Sequence, residues 1–460
     1  MTADLVVRGG EIVSPSGRER CDLLVAGGVV AGRTPAGQGE ARDVVDADGL
    51  VVLPGGVDPH VHMMDPGLTE REDFPTGTAA AAVGGVTTIV EHHRSLPFVL
   101  NADVLTDKVR YLSARSLIDF ALFGGGHPDN IAELRPMWRA GAACFKIFTC
   151  NLHGVPAVLP GRMLTLFREV ASFNGLCLIH AEDEFVAAEN EERIRSVERN
   201  DPRVIPEWRS KEAEQVAVNT VALLTRLSGC RVIIAHASHP AICDLVARER
   251  ALGARLMVES CPQYFYLTEN DIESWGPLHK FTPPARTAAD RDEMWARLQA
   301  GDIDMVCADH APSTREQKDA SIWEAPFGVP GIETNLPMML TGVANGHLEL
   351  ERLVAARSEA PAKAYGLYPA KGHLGEGADA DLVLVDAEAE RTLRDEDIIA
   401  KVGWTPYAGR TVRGRVVATY VRGRLVARNG QPVAEPGWGR FLPGPGYDGP
   451  VPWTPETPSA

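Results

Sequence analysis

His60-Val61-His62 ends an apolar run, and because side chains alternate along a strand, the two imidazoles of such a pair point the same way and can meet one metal ion. Alone, the pair reads equally well as two ordinary strand histidines. Three further polar residues repeat the arrangement. Leu176-Cys177-Leu178-Ile179 runs into His180, Val232-Ile233-Ile234-Ala235 into His236, and Met305-Val306-Cys307-Ala308 into Asp309. Each is a short strand of the fully buried kind with a metal-ligating residue type at its C-terminal end. Lys146 interrupts another apolar run, Ala142-Ala143-Cys144-Phe145-Lys146-Ile147-Phe148. Burial favours the neutral amine, the form that reacts with carbon dioxide to give a carbamate. The alternative is a lysine snorkelling out of a strand end.

Such residues converge only if the strands are parallel and share one mouth. From Pro54 to about residue 371, apolar strand-like runs recur between longer helical stretches such as Met163 to Phe173 and Ala213 to Leu227. That rhythm predicts an α/β chain folded as a parallel βα barrel, in which active sites lie at the C-terminal ends of the strands. The first 53 residues alternate short β-type runs with glycine turns. The β texture returns over 372–435, where Val421-Arg422-Gly423 echoes Val7-Arg8-Gly9, so the two chain ends are expected to join in one sheet. The predicted organisation is therefore a first sheet part over 1–53, a barrel carrying the metal-ligand-type residues over 54–371, a second sheet part over 372–435, and an extended or partly disordered Pro- and Gly-rich tail over 436–460.

A chain of 460 residues, 45% hydrophobic, can bury a core of this size. Its 46 Lys and Arg against 62 Asp and Glu give a net charge of −16, with no basic run to follow a phosphate backbone, which argues against nucleic acid as a partner. No apolar stretch approaches the roughly 18 residues of a membrane helix, and the N-terminus lacks a signal-peptide pattern. A cytoplasmic protein without membrane association is expected. The eight scattered cysteines, none in a C-x-x-C pair, read as reduced core residues.

Gly56-Val57-Asp58-Pro59-His60-Val61-His62, Gly84-Gly85-Val86-Thr87-Thr88, Phe145-Lys146, His180-Ala181-Glu182, His236-Ala237-Ser238, Glu259 to Tyr264 and Asp309-His310-Ala311-Pro312 together resemble the cyclic amidohydrolases of the amidohydrolase superfamily: hydantoinases (dihydropyrimidinases), allantoinases and dihydroorotases. The resemblance runs from about residue 4 to about 430. It implies a TIM (βα)8 barrel with a small β-sandwich built from both chain ends, and a homo-oligomer, dimer or tetramer. It also implies two divalent metal ions, one held by His60, His62 and Asp309 and the other by His180 and His236, with a carbamylated Lys146 bridging them. Zinc is the expected metal, since imidazole and carboxylate ligands suit it, with manganese, cobalt and nickel as alternatives. The chemistry expected is ring opening of a small cyclic amide or imide by a metal-bridging hydroxide, with Asp309 as the proton shuttle.

The flanking residues bear on which ring. Dihydroorotases of this group usually carry Arg, Asn and His where this chain has Met64, Thr282 and Ser313, so the groups expected to face a substrate carboxylate there are missing. Hydantoinases place an oxyanion-binding Tyr where Asn151 stands, whereas Cys150 follows the allantoinase pattern. Phe327, Gly328 and Pro330 belong to a segment resembling the loop that closes over the ring, and Glu91-His92-His93-Arg94 departs from the relatives' usual pattern, with His93 or Arg94 as candidate pocket residues. Packing or surface roles are expected for Cys150, His153 and His239. The leading expectation is a hydantoinase- or allantoinase-like hydrolase. The alternatives are a dihydroorotase or a non-catalytic dihydropyrimidinase-related assembly protein, the latter opposed by retention of all six ligand positions.

Overall fold

In the computed structural model, which describes residues 3–449, eight parallel strands carry the residues singled out above. They are β1 (Gly56–Val61), β2 (Val86–Glu91), β3 (Asp119–Gly125), β4 (Cys144–Phe148), β5 (Leu176–His180), β6 (Arg231–Ile234), β7 (Arg255–Ser260) and β8 (Met305–Val306). Each pairs in parallel with the next, and a parallel bridge between Val61 and His310 brings the chain beyond β8 back onto β1, closing the barrel.

Alternation along these strands sorts side chains between two environments. In β4, Phe145 and Ile147 pack outward in the large cluster shared with the helices, while Cys144 joins the barrel interior. Lys146, in phase with Cys144, therefore faces inward. In β5 the outward pair is Cys177 and Ile179 and the inward pair Leu176 and Leu178, which puts His180 at the inner end of the same row. The barrel floor is thus sealed by apolar side chains and its polar residues cluster at the top.

Local signals set the helices around it. The helix Lys211–Ser228 starts where the Ser210 side chain accepts from the Ala213 amide, carries Glu212 and Glu214 in its first turn, and stops at Gly229, whose φ of 71° suits a residue without a Cβ. It and the helix Pro160–Ser172 cover the two helical stretches read from the sequence.

A separate ten-stranded sheet is built from both ends of the chain. Its seam is the antiparallel pairing of Val51–Pro54 with Leu382–Thr392, Leu382 lying opposite Pro54. A buried ion cluster ties this sheet to the barrel. Lys371 Nζ lies 2.5 Å from Asp119 and 2.8 Å from Asp381, and Arg422 also pairs with Asp119. Residues 436–449 run along the barrel: the Arg440 amide donates to Asp119, Phe441 bridges to Phe120, and Gly444 bonds Gly141. Residues 450–460 of the expected tail lie outside the described residues. No described helix is long and apolar enough to cross a membrane, and all eight cysteines are buried free thiols.

Candidate active site

All six residues expected to bind metal reach one cavity at the barrel mouth through local backbone geometry. His60 lies within β1 and His62 just beyond it, where the His62 amide donates to the His310 carbonyl. Lys146 and His180 are strand residues. His236 and Asp309 lie two and three residues past their strands, with φ of 38° and 43°. Positive φ at a non-glycine residue is strained, and such strain persists where surrounding contacts fix it. Here the Ala237 amide donates to the Glu259 carbonyl and the Ala308 amide to the buried Asp58 carboxylate.

The donor atoms form two groups. His180 Nδ1 faces His236 Nε2 at 2.9 Å. Asp309 Oδ1 lies 3.3 Å from His62 Nε2 and 3.5 Å from His60 Nε2, and Lys146 Nζ is 3.2 Å from that same His60 nitrogen. All six residues line one cavity. Burial holds the His60 and His62 imidazoles down at about 3, and His236 well below its usual value, so all three are neutral, the form that ligates metal. Burial also lowers Lys146, against the pull of Glu259 and Asp309. For Asp309 burial acts upward, but the neighbouring His60, His62 and His236 outweigh it and hold the carboxyl well below its usual value.

Two buried carboxylates orient this set. Glu259 Oε1 is 2.6 Å from His60 Nδ1, and Glu182 Oε2 is 2.6 Å from His180 Nε2. Each fixes its imidazole so that the opposite nitrogen faces the cavity. Both lie in motifs visible in the sequence, but the contact of Glu259 with His60 spans 199 positions and only the fold reveals it. His92, at the end of β2, stacks on His62 with ring centroids 4.0 Å apart and adds a third imidazole to the His60 and His62 group.

The residues singled out for substrate contact divide. Thr282, Phe327 and Gly328 line the cavity. Thr282 Oγ1 also donates to Glu182 at 2.7 Å, and Gly328 has φ of 114° with no room for a Cβ beside the Ala311 carbonyl. Asn151 lies in a neighbouring cleft, tied to Glu184. Pro330 lines a different small cavity beside Trp404. Met64, His93 and Ser313 are buried outside the cavity lining, and Arg94 is half-buried behind it. His153, for which packing or exposure was expected, lines the cavity instead. Cys150 packs against Arg209, and His239 is buried near Glu214.

A closed parallel barrel whose mouth gathers neutral imidazoles, an amine and a carboxylate belongs to the class of metal-dependent barrel hydrolases. The amidohydrolase family model matches residues 51–426, and the chain belongs to that metal-dependent family. It is 36% identical to an L-hydantoinase of Paenarthrobacter aurescens, covering 97% of this chain and 99% of that protein. It is also 36% identical to an allantoinase of Rubrobacter xylanophilus, covering 95% and 97%. The solved L-hydantoinase (dihydropyrimidinase) from Arthrobacter aurescens superposes with a TM-score of 0.94 at 35% identity, over 96% of this chain and 100% of the other. The chain is thus an enzyme of the cyclic-amidohydrolase group.

Proposed function

We propose that the enzyme opens a C–N bond of a cyclic amide or imide of hydantoin or allantoin type, using two divalent metal ions, with zinc as the preferred identity. The observation that carries this reading is the facing of His180 Nδ1 and His236 Nε2 at 2.9 Å, beside a second group of Asp309 with His60 and His62. Neutral imidazole nitrogens turned toward one another, with their outer nitrogens on His180 and His60 held by carboxylates, fit a pair of metal sites. His60, His62 and Asp309 would hold one ion and His180 and His236 the other, with Lys146 bridging as its carbamate. The low proton affinity of the buried Lys146 amine supports that modification.

When bound, the metals supply Lewis-acid polarisation of the ring carbonyl and an acidified water. Asp309 takes the proton of the attacking water on a carboxylate oxygen and returns it to the ring nitrogen as the C–N bond breaks. Thr282 and the Phe327-Gly328 segment bound the ring and exclude bulk water.

We further assign a homo-oligomer, dimer or tetramer, supported by exposed Val216, Leu223 and Leu227 along the helix Lys211–Ser228. A cytoplasmic location fits eight buried free thiols. The decisive experiment measures metal content together with ring opening across hydantoin, allantoin, dihydrouracil and dihydroorotate. About two metals per chain with hydantoin or allantoin turnover is the expected result; under about one metal per chain, or no ring opened, overturns the reading.

A further inference from the structure

Two arginines beside the cavity lack any carboxylate partner. Arg71 is only 6% exposed; its Nε donates to the Pro312 carbonyl at 2.7 Å, and its buried Nη2 has no hydrogen-bond partner. Arg94 follows β2, its amide donating to His92 Nδ1, and its buried Nε is likewise without a partner. Neither makes an ion pair among the described residues, whereas Lys108 meets Glu91, Arg286 meets Glu214, and Lys371 meets Asp119.

The two guanidiniums share one locality. Arg94 lies two residues beyond His92, which stacks on the cavity residue His62 with ring centroids 4.0 Å apart, and the charges of Arg94 and Arg71 both act on His153, which lines the cavity. Pro312, which receives Arg71, follows the cavity residue Ala311. The nearby anion Glu91 is already taken by Lys108 at 3.2 Å and by the Met63 amide at 2.9 Å. Burial and the charge of Arg71 pull even the Arg94 guanidinium down to about 10. Two neighbouring cations, one buried and one half-buried, with no carboxylate paired to either are costly, and an anion that satisfies the free N–H groups lowers that cost. Guanidinium geometry suits a carboxylate.

We infer that Arg71 and Arg94 form an anion subsite at the edge of the cavity, and that the substrate is a cyclic amide carrying a carboxylate outside the reacting bond. This rests on the ring-opening reading above and narrows its substrate class. It restores, from different loops, the carboxylate recognition that Met64, Thr282 and Ser313 do not supply.

The test compares 5-(carboxymethyl)hydantoin with its neutral isostere 5-(carbamoylmethyl)hydantoin on the metal-loaded enzyme. The acid is expected to be favoured by about tenfold or more in kcat/KM, mainly through KM, with the preference shrinking as salt rises. Arg94→Met should bring the acid-to-amide ratio to about one and Arg94→Lys should keep part of it. Arg94 is the first choice because Arg71 also bonds Pro312, so its loss could disturb the fold. If neither ring is opened, turnover of hydantoin and allantoin tests the ring-opening reading separately, and calorimetric binding of the same two compounds decides the subsite alone. An acid-to-amide ratio of one or less in the unaltered enzyme, by either measure, or an equal loss for both compounds in Arg94→Met, overturns the subsite.

Discussion

His60 Nδ1 and Glu259 Oε1 stand 2.6 Å apart, joining β1 to β7 through two side chains almost wholly removed from water. The contact turns His60 Nε2 toward Asp309 and Lys146. Replacing Glu259 by Gln keeps the shape but weakens the hold on the ring. Metal affinity, read by competition with a chelator, should fall about 10- to 100-fold while the circular dichroism spectrum stays unchanged. Unaltered affinity would leave Glu259 with a packing role only.

Asp309→Asn removes the proton acceptor at the centre of the His60 and His62 group. Turnover of the best hydantoin should fall by about 10²- to 10⁴-fold, with the thermal midpoint little changed. Turnover near that of the unaltered enzyme would rule out the shuttle.

Glu333 is buried and accepts from the Ile399 and Ala400 amides, and burial raises its carboxyl from 4.5 to about 7. A folded pKa above the unfolded one means the folded state binds the extra proton, so its stability contribution is present below pH 4.5 and is lost as pH rises to about 7. Glu333→Gln has no proton to lose. Its stability relative to the unaltered protein should rise by roughly 3 kcal/mol between pH 4.5 and 7, read by urea unfolding. A flat difference across that window would contradict the buried titration.

Asp119 meets Lys371, Arg422 and the Arg440 amide at once. Asp119→Ala leaves Arg422 without its carboxylate and removes one of three carboxylates around Lys371, at the junction of sheet, barrel and the 436–449 segment. A loss of about 3–5 kcal/mol in unfolding free energy is expected, with faster proteolysis after residue 435. Stability unchanged within about 0.5 kcal/mol would show that Asp381 and Asp379 satisfy Lys371 alone.

What the sequence determined by itself was the barrel and the six strand-end residues, because both follow from local pattern: period-two alternation fixes which side of β4 and β5 faces in, and strand order fixes a common mouth. The pairing of the two chain ends was visible for the same reason, as matching β texture. Tertiary structure alone decided the partners. Glu259 reaches His60 across 199 positions, Glu182 joins His180 to Thr282, and His153 turns into the cavity while Met64, Ser313 and Pro330 stay out of its lining. Nothing in the residues around Arg71 or Arg94 announces that both lack a carboxylate. Whether a charge is paired depends on what distant loops bring within 4 Å, and that is settled by packing in three dimensions rather than by neighbours in the chain.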